Sequence, residues 1–242
     1  MDLIEKMKEL GGYWEYAGGR YLAELTSGKV SDKFLNTGVL TCRPKPLANA
    51  VEHLIHKKCP DATEDVDTVA VRNFDKKPYV CGPAFGGITL AYEVARQLGG
   101  TAIFTEPVYK TVTTFDMEGD DYPRTVKDGQ ALKRFKIPEG ATVLFVEDVI
   151  TSGKSTLEMM NAVWATQGDK LFENLPYVLC LVNRSGKDHL WPIISLADVA
   201  AITWDTIEQA REDLSVVYGK VAASDMTAIR PKDNWGLLTG KE

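Results

Sequence analysis

The densest concentration of chemistry-bearing residues in this 242-residue chain is VLFVEDVITSGKST at 143–156. An apolar run that reads as a strand meets two adjacent carboxylates, Glu147 and Asp148. A turn of Thr151, Ser152 and Gly153 then opens a helix at Lys154. A helix start carries unpaired N–H groups and about half a positive charge, and glycine lets the backbone wrap closely round an anion. With hydroxyls at Thr151, Ser152, Ser155 and Thr156 as further donors, the segment can cradle a phosphate without net positive charge. Ser152 or Thr151 would serve equally as a plain helix cap, but capping leaves the acid pair unexplained. Neighbouring strand residues face opposite sides, so at least one acid lies near the sheet edge where α/β ligands bind. Paired acids beside a phosphate cradle suit a ribose, whose hydroxyls donate to carboxylates, with a magnesium ion nearby. GKST also ends the nucleotide P-loop pattern, but that pattern needs glycine at 148, where this chain has Asp148.

Two further segments carry anion chemistry. In GPAFGG (82–87), Gly82, Gly86 and Gly87 permit close backbone approach, and the helix from Gly87 adds N–H groups suited to a diphosphate, although a simple strand-to-helix turn has the same composition. In Asn183-Arg184-Ser185-Gly186, Arg184 follows the apolar strand 177–182 at its carboxyl end, where a guanidinium fork can pair with a carboxylate.

The elements that must position these residues alternate. Strands are expected at 21–25, 78–82, 101–105, 141–148, 176–182 and 192–196, with amphipathic helices at 46–56, 87–98 and 154–165 and a first helix in MDLIEKMKEL. That alternation predicts an α/β fold with a mainly parallel sheet flanked by helices. Residues 60–77 and 106–136 interrupt it. The second stretch contains no convincing helix or buried strand and is too long for a routine connection. Its first half, 106–121, holds Glu106, Asp116, Glu118, Asp120 and Asp121 against Lys110; its second half holds Arg124, Lys127, Lys133, Arg134 and Lys136 against Asp128. Either it is a solvated β-hairpin whose arms attract each other, or a lid that delivers cations to a phosphate substrate.

Composition bounds the function. The chain is 44% hydrophobic and 26% charged, as ordinary globular proteins are, and its net charge of -6 disfavours nonspecific nucleic-acid or membrane binding. Cysteines at 42, 59, 81 and 180 form no C-x-x-C pair and no cluster with histidine, so neither a zinc site nor a redox motif is expected and a reduced cytoplasm is the simplest setting. The N-terminal ten residues read as neither signal peptide nor membrane anchor.

The acid pair and phosphate turn at 147–156 resemble the motif that binds 5-phosphoribosyl 1-pyrophosphate (PRPP) in type I phosphoribosyltransferases. RYLAELTSGKVSDKFLNTG (20–38) resembles the amino-terminal substrate segment of the orotate-using branch, and CGPAFGGITLAYEVARQLGG (81–100) its pyrophosphate loop and helix. AIFTE (102–106), LKRFKIPEG (132–140) and CLVNRSG (180–186) follow that branch in the right order. The resemblance implies one phosphoribosyltransferase domain over 1–242, with a small hood from about 1–40 and part of 180–242 and a long flexible lid loop at about 106–136. It implies transfer of phosphoribose from PRPP to orotate, giving orotidine 5'-monophosphate and pyrophosphate.

The same resemblance distributes roles by residue. Glu147, Asp148 and residues 151–156 (Thr151, Ser152, Gly153, Lys154, Ser155 and Thr156) would hold PRPP. Gly82, Pro83, Ala84, Gly86, Gly87 and Lys110 would hold pyrophosphate. Arg184, Phe34, Ser27 and Thr151 would hold orotate, with Leu35 and Gly28 beside them. Lys133, Arg134 and Asp148 would be catalytic, Lys110 competing with the lid pair. Mg2+ would bind through PRPP, reached by Asp148 through water, rather than through direct protein ligands. A cytoplasmic homodimer is implied, without nucleic-acid or membrane partners. The chain departs from the pattern in a longer lid at about 109–131, in Thr26 and Gly86 where the enteric type has lysines, and in an unmatched tail from Trp204. A phosphoribosyltransferase for another base stays open, as does a PRPP-sensing regulator. Residues 1–30 carry four bases against five acids and no basic surface that such a regulator would put on nucleic acid.

Overall fold

The computed structural model describes residues 1–25, 27–57, 77–115, 121–167, 177–186 and 189–240. Cys59, Thr26, nearly all of the polar stretch 60–77, and Asp116, Glu118 and Asp120 of the lid lie outside them. The N-terminal part holds α1 (Leu3–Glu9), β1 (Tyr13–Glu15), β2 (Tyr21–Glu24), β3 (Val30–Ser31), β4 (Lys33–Leu35) and α2 (Gly38–Thr41). The middle holds α3 (Pro44–Ile55), β5 (Tyr79–Pro83), α4 (Gly86–Leu98), β6 (Thr101–Phe115), β7 (Asp121–Ala131), β8 (Val143–Ile150), α5 (Lys154–Gln167), β9 (Val178–Asn183) and β10 (Ile193–Asp198). The chain closes with β11 (Thr203–Trp204), α6 (Ile207–Tyr218), α7 (Lys220–Ser224), β12 (Thr227–Ile229) and α8 (Trp235–Thr239). These fall into two compact units, 41–198 with Met1, and 2–40 with 199–242.

The larger unit is built on a sheet in the order β10-β9-β8-β5-β6-β7, parallel throughout except for the last pair. Strands buried on both faces read as continuous apolar runs, and Val143–Val146 and Val178–Val182 are buried at every position. Phe145, Ile103, Met159, Met160 and Val163 pack into this core. Buried Cys81 and Cys180 belong to it too, and burial pushes both thiols up, Cys81 to about 12. The chain steps from β5 to β6 in one direction and from β8 to β9 and β10 in the other, so the order reverses between the neighbours β5 and β8. Ligands of such sheets bind outside the carboxyl ends of the strands at this reversal.

The expected lid loop proves to be a hairpin. β6 continues past the sheet to Phe115 and pairs antiparallel with β7, from Glu106 opposite Ala131 to Phe115 opposite Asp121, with an irregularity between Pro107 and Tyr109. Of the two sequence readings, the hairpin with attracting arms describes its secondary structure. Lys110 pairs with Asp128 at 2.6 Å across it. The strand signal is missing from the sequence because β7 is exposed along most of its length, so no apolar alternation marks it.

In the smaller unit, β11-β3-β2-β12 form a second sheet and β1 pairs with β4. The tail from Trp204 builds this unit's core: Trp204, Ala210, Ala223 and Met226 pack with Leu22 and Val30. Trp204 Nε1 donates to Asp213 at 2.7 Å. Val216, Val217 and Val221 remain exposed.

Candidate active site

Three carboxyl ends meet at the reversal of strand order. β5 delivers residues 82–87, β8 delivers 147–156, and β9 places Arg184 beside β8, its N–H donating to the Ile150 carbonyl at 2.7 Å. Ser185 N–H and Oγ both donate to Asn183 Oδ1, at 3.0 and 2.7 Å, which fixes the turn that presents the half-buried Arg184.

The glycine turn folds tightly on itself. A Cβ on Gly82 would lie 2.4 Å from the Gly87 carbonyl oxygen, and one on Gly87 would lie 2.5 Å from Pro83 Cδ. Ala84 N–H donates to the Thr105 carbonyl at 2.8 Å, and the Ala84–Phe85 peptide is cis. Gly86 faces the acid pair: a Cβ there would stand 2.8 Å from the Asp148 carboxylate carbon and oxygens. Asp148 thus lies against the start of α4, where unpaired N–H groups favour negative charge.

Glu147 is buried, and Thr156 Oγ1 donates to its Oε2 at 3.5 Å. Thr156, expected among the phosphate donors, is itself buried with its hydroxyl turned to this acid. Burial, and then the Asp148 charge, push the Glu147 carboxyl well above the usual carboxylate range. The folded protein therefore retains a proton that the unfolded chain gives up near the ordinary carboxylate value. Stability falls as pH rises from that value toward the raised one. Glu147→Gln cannot ionise, so in denaturant titrations without substrate between roughly pH 5 and pH 8 it is expected to flatten this fall and to be the more stable protein at the upper end. A slope equal to wild type would contradict the burial argument.

Thr151, Ser152 and Lys154 are exposed, Ser155 is half-buried, and Ser152 Oγ accepts from Lys154 N–H at 3.3 Å. Gly153 has φ +77, and a Cβ on it would meet His189 Cε1 at 2.7 Å. His189 stacks on Trp191, ring centroids 5.3 Å apart. The histidine therefore walls the phosphate turn, a role that no local sequence pattern signals.

The base of the hairpin also reaches this turn. Gln130 Nε2 donates to Ser155 Oγ at 3.0 Å and lies 3.4 Å from the Ser155 carbonyl, while Thr105, fully buried, donates its hydroxyl to Gln130 Oε1. Lys127 pairs with Glu158 on α5 at 2.6 Å. Arg134 pairs with Glu106, Lys110 with Asp128, and Lys133 is exposed without a partner among the described residues. Thr105, Gln130 and His189 are thus site residues that the sequence reading missed. Ser27 and Phe34 belong to the smaller unit, where Phe34 packs against Trp235 at 6.0 Å between ring centroids.

Among the described residues no three His, Cys, Asp or Glu cluster as a metal cage, and no helix there is long and apolar enough to cross a membrane. A family model described as "Phosphoribosyl transferase domain" matches residues 55–168. The orotate phosphoribosyltransferase of Deinococcus radiodurans is 30% identical over 219 residues, covering 86% of this chain and 91% of that protein. The orotate phosphoribosyltransferase of Bartonella bacilliformis is 30% identical over 210 residues, covering 85% and 89%. The crystal structure of orotate phosphoribosyltransferase from Aeropyrum pernix has a TM-score of 0.54 at 18% identity, covering 88% of this chain and 98% of that one, a likeness of fold.

Proposed function

The chain belongs to the orotate phosphoribosyltransferase family, and from that premise we propose how its residues divide the work of moving a 5-phosphoribosyl group from PRPP to orotate. The products are orotidine 5'-monophosphate and pyrophosphate, a step of pyrimidine synthesis. The observation that carries the assignment is the convergence at the β5/β8 reversal of a glycine turn, an acid pair leading into a phosphate turn, and Arg184 at the end of the adjoining strand.

Residues 151–155 hold the 5'-phosphate, and Gly82 to Gly87 take the leaving pyrophosphate on backbone N–H groups. Asp148 accepts from the ribose hydroxyls and favours the positive charge that develops at C1 as pyrophosphate leaves; Glu147 stands behind it. Catalysis rests on charge stabilisation and positioning, without a covalent nucleophile. Arg184 reads the orotate carboxylate, a group that neutral bases lack.

Mg2+ fits this donor set. It keeps several waters beside substrate phosphates, and the half-buried carboxylate of Asp148 would accept from one of those waters. Bound with PRPP, it would neutralise charge on the pyrophosphate. The enzyme works as a cytoplasmic homodimer: exposed Cys42 suits a reducing compartment, and the exposed aromatics Phe85 and Tyr92, seven positions apart at α4, offer apolar surface to a second copy.

The test is direct: with PRPP, Mg2+ and orotate, the orotate absorbance should fall, while uracil and adenine leave PRPP unconsumed. Consumption of adenine instead would overturn the assignment. Lys133 and Arg134 close over the departing pyrophosphate, so Lys133→Ala and Arg134→Ala are each expected to lower kcat about 10- to 100-fold with the orotate KM little changed. Turnover near wild type in both would remove the lid pair from the mechanism.

A further inference from the structure

The hydrogen bonds at the base of the hairpin run in one direction. Thr105 donates from its hydroxyl to Gln130 Oε1, and Gln130 Nε2 donates to Ser155 Oγ at 3.0 Å. The orientation of the amide is fixed by chemistry: the Ser155 carbonyl, 3.4 Å from Nε2, can only accept. Ser155 Oγ is therefore already an acceptor, and its own O–H is left to donate elsewhere. Were the amide reversed, Oε1 would take that proton and Ser155 would offer a phosphate nothing but lone pairs. The same chain of contacts continues through the backbone, because the Thr105 carbonyl accepts from Ala84 N–H in the glycine turn at 2.8 Å.

We infer that Gln130, on the returning arm of the hairpin, is a positioning residue for the 5'-phosphate: by donating to Ser155 Oγ it commits the Ser155 O–H to the phosphate. The inference rests on the proposed reading of residues 151–155 as the phosphate cradle. It assigns to the lid's inner end a part in substrate binding distinct from the cations Lys133 and Arg134. Thr105 holds the amide in its productive orientation, so a side-chain relay joins the hairpin to the phosphate turn, and the Thr105 backbone ties it to the glycine turn.

The test combines calorimetric binding of ribose 5-phosphate, which lacks the pyrophosphate, with steady-state KM values for PRPP and orotate. Gln130→Met keeps the length of the side chain and removes its donors; it is expected to weaken ribose 5-phosphate binding and raise the PRPP KM about 10-fold, the orotate KM staying within about twofold. Gln130→Glu keeps the shape and the acceptor for Thr105 but takes the Ser155 proton and sets a negative charge beside the phosphate. It is expected to bind about 100-fold more weakly than wild type, worse than methionine, whereas a purely structural role would make the near-isosteric glutamate the milder change. Ser155→Ala should remove what Gln130 acts through, so Gln130→Met on that background should add less than about twofold. Multiplying losses in the double variant, or wild-type affinity in Gln130→Glu, would overturn the inference while leaving the cradle in place. Failure of the wild-type protein to bind ribose 5-phosphate and PRPP would instead overturn the cradle, and the inference with it.

Discussion

Gly86→Ala is expected to lower kcat/KM by about two to three orders of magnitude in the orotate absorbance assay while the thermal midpoint is not lowered. The new methyl would stand 2.8 Å from the carboxylate of Asp148, closer than carbon approaches oxygen without displacement. What must yield is the short, half-buried Asp148 side chain rather than backbone, so the carboxylate turns away from the ribose while β8 and α4 stay in place. Loss of two charge-assisted hydrogen bonds, each worth roughly 1.5–3 kcal/mol, accounts for the size of the effect. Gly86 is not in the left-handed region, and alanine is the better helix former by about 1 kcal/mol, so the fold has no reason to weaken. This contrasts with Gly82, where the obstacle to a side chain is the Gly87 carbonyl and the turn itself would have to open. Activity near wild type in Gly86→Ala would mean that Asp148 is not a ribose ligand.

Arg184→Ala is expected to raise the orotate KM about 100- to 1,000-fold and to leave the PRPP affinity within a fewfold, because a bidentate charge-assisted pair is worth roughly 3–4 kcal/mol. The backbone of the turn is held independently of the side chain, by the bond to Ile150 and by Asn183, so truncation should empty the fork without moving β9. Arg184→Lys should recover only part of the loss, since an ammonium keeps the charge and loses the fork geometry. The preference for orotate over uracil should shrink with the same substitution. An unchanged preference would place carboxylate recognition elsewhere and reopen the choice of base.

The parts of this site that were legible in the sequence are those whose signal is local. Val143 to Ser155 announces itself because a strand buried on both faces must be apolar, a turn over an anion needs glycine, and a helix must follow. The β5 turn is legible for the same reasons. Thr156 shows the limit: its residue type fits a phosphate donor, but the first turn of α5 carries it inward to Glu147. Gln130 and His189 reach the site through pairings between distant segments, and nothing in their own neighbourhoods distinguishes them from surface polar residues; Thr105 sits in an expected strand, but its part shows only in its bond to Gln130. The resemblance assigned part of 180–242 to the hood, but the strand pairing through which the tail joins it had no local signal. β12 pairs with β2 across about two hundred residues of chain, a partnership that composition and periodicity cannot express.

The self-paired hairpin bears on how such a chain can vary over evolutionary time. Because β6 and β7 bond to each other beyond the sheet, their far ends add nothing to the span that Pro107 and Ala131 must cover, and the entropy of closing that excursion depends only weakly on its length. Residues can be inserted or deleted as facing pairs, each extending or shortening the arm by about 3.3 Å, without altering the strands that frame the acid pair. Reach is therefore a quantity that can drift separately from the chemistry, and a family built this way can be expected to differ among its members in lid length long before it differs in its phosphate turn.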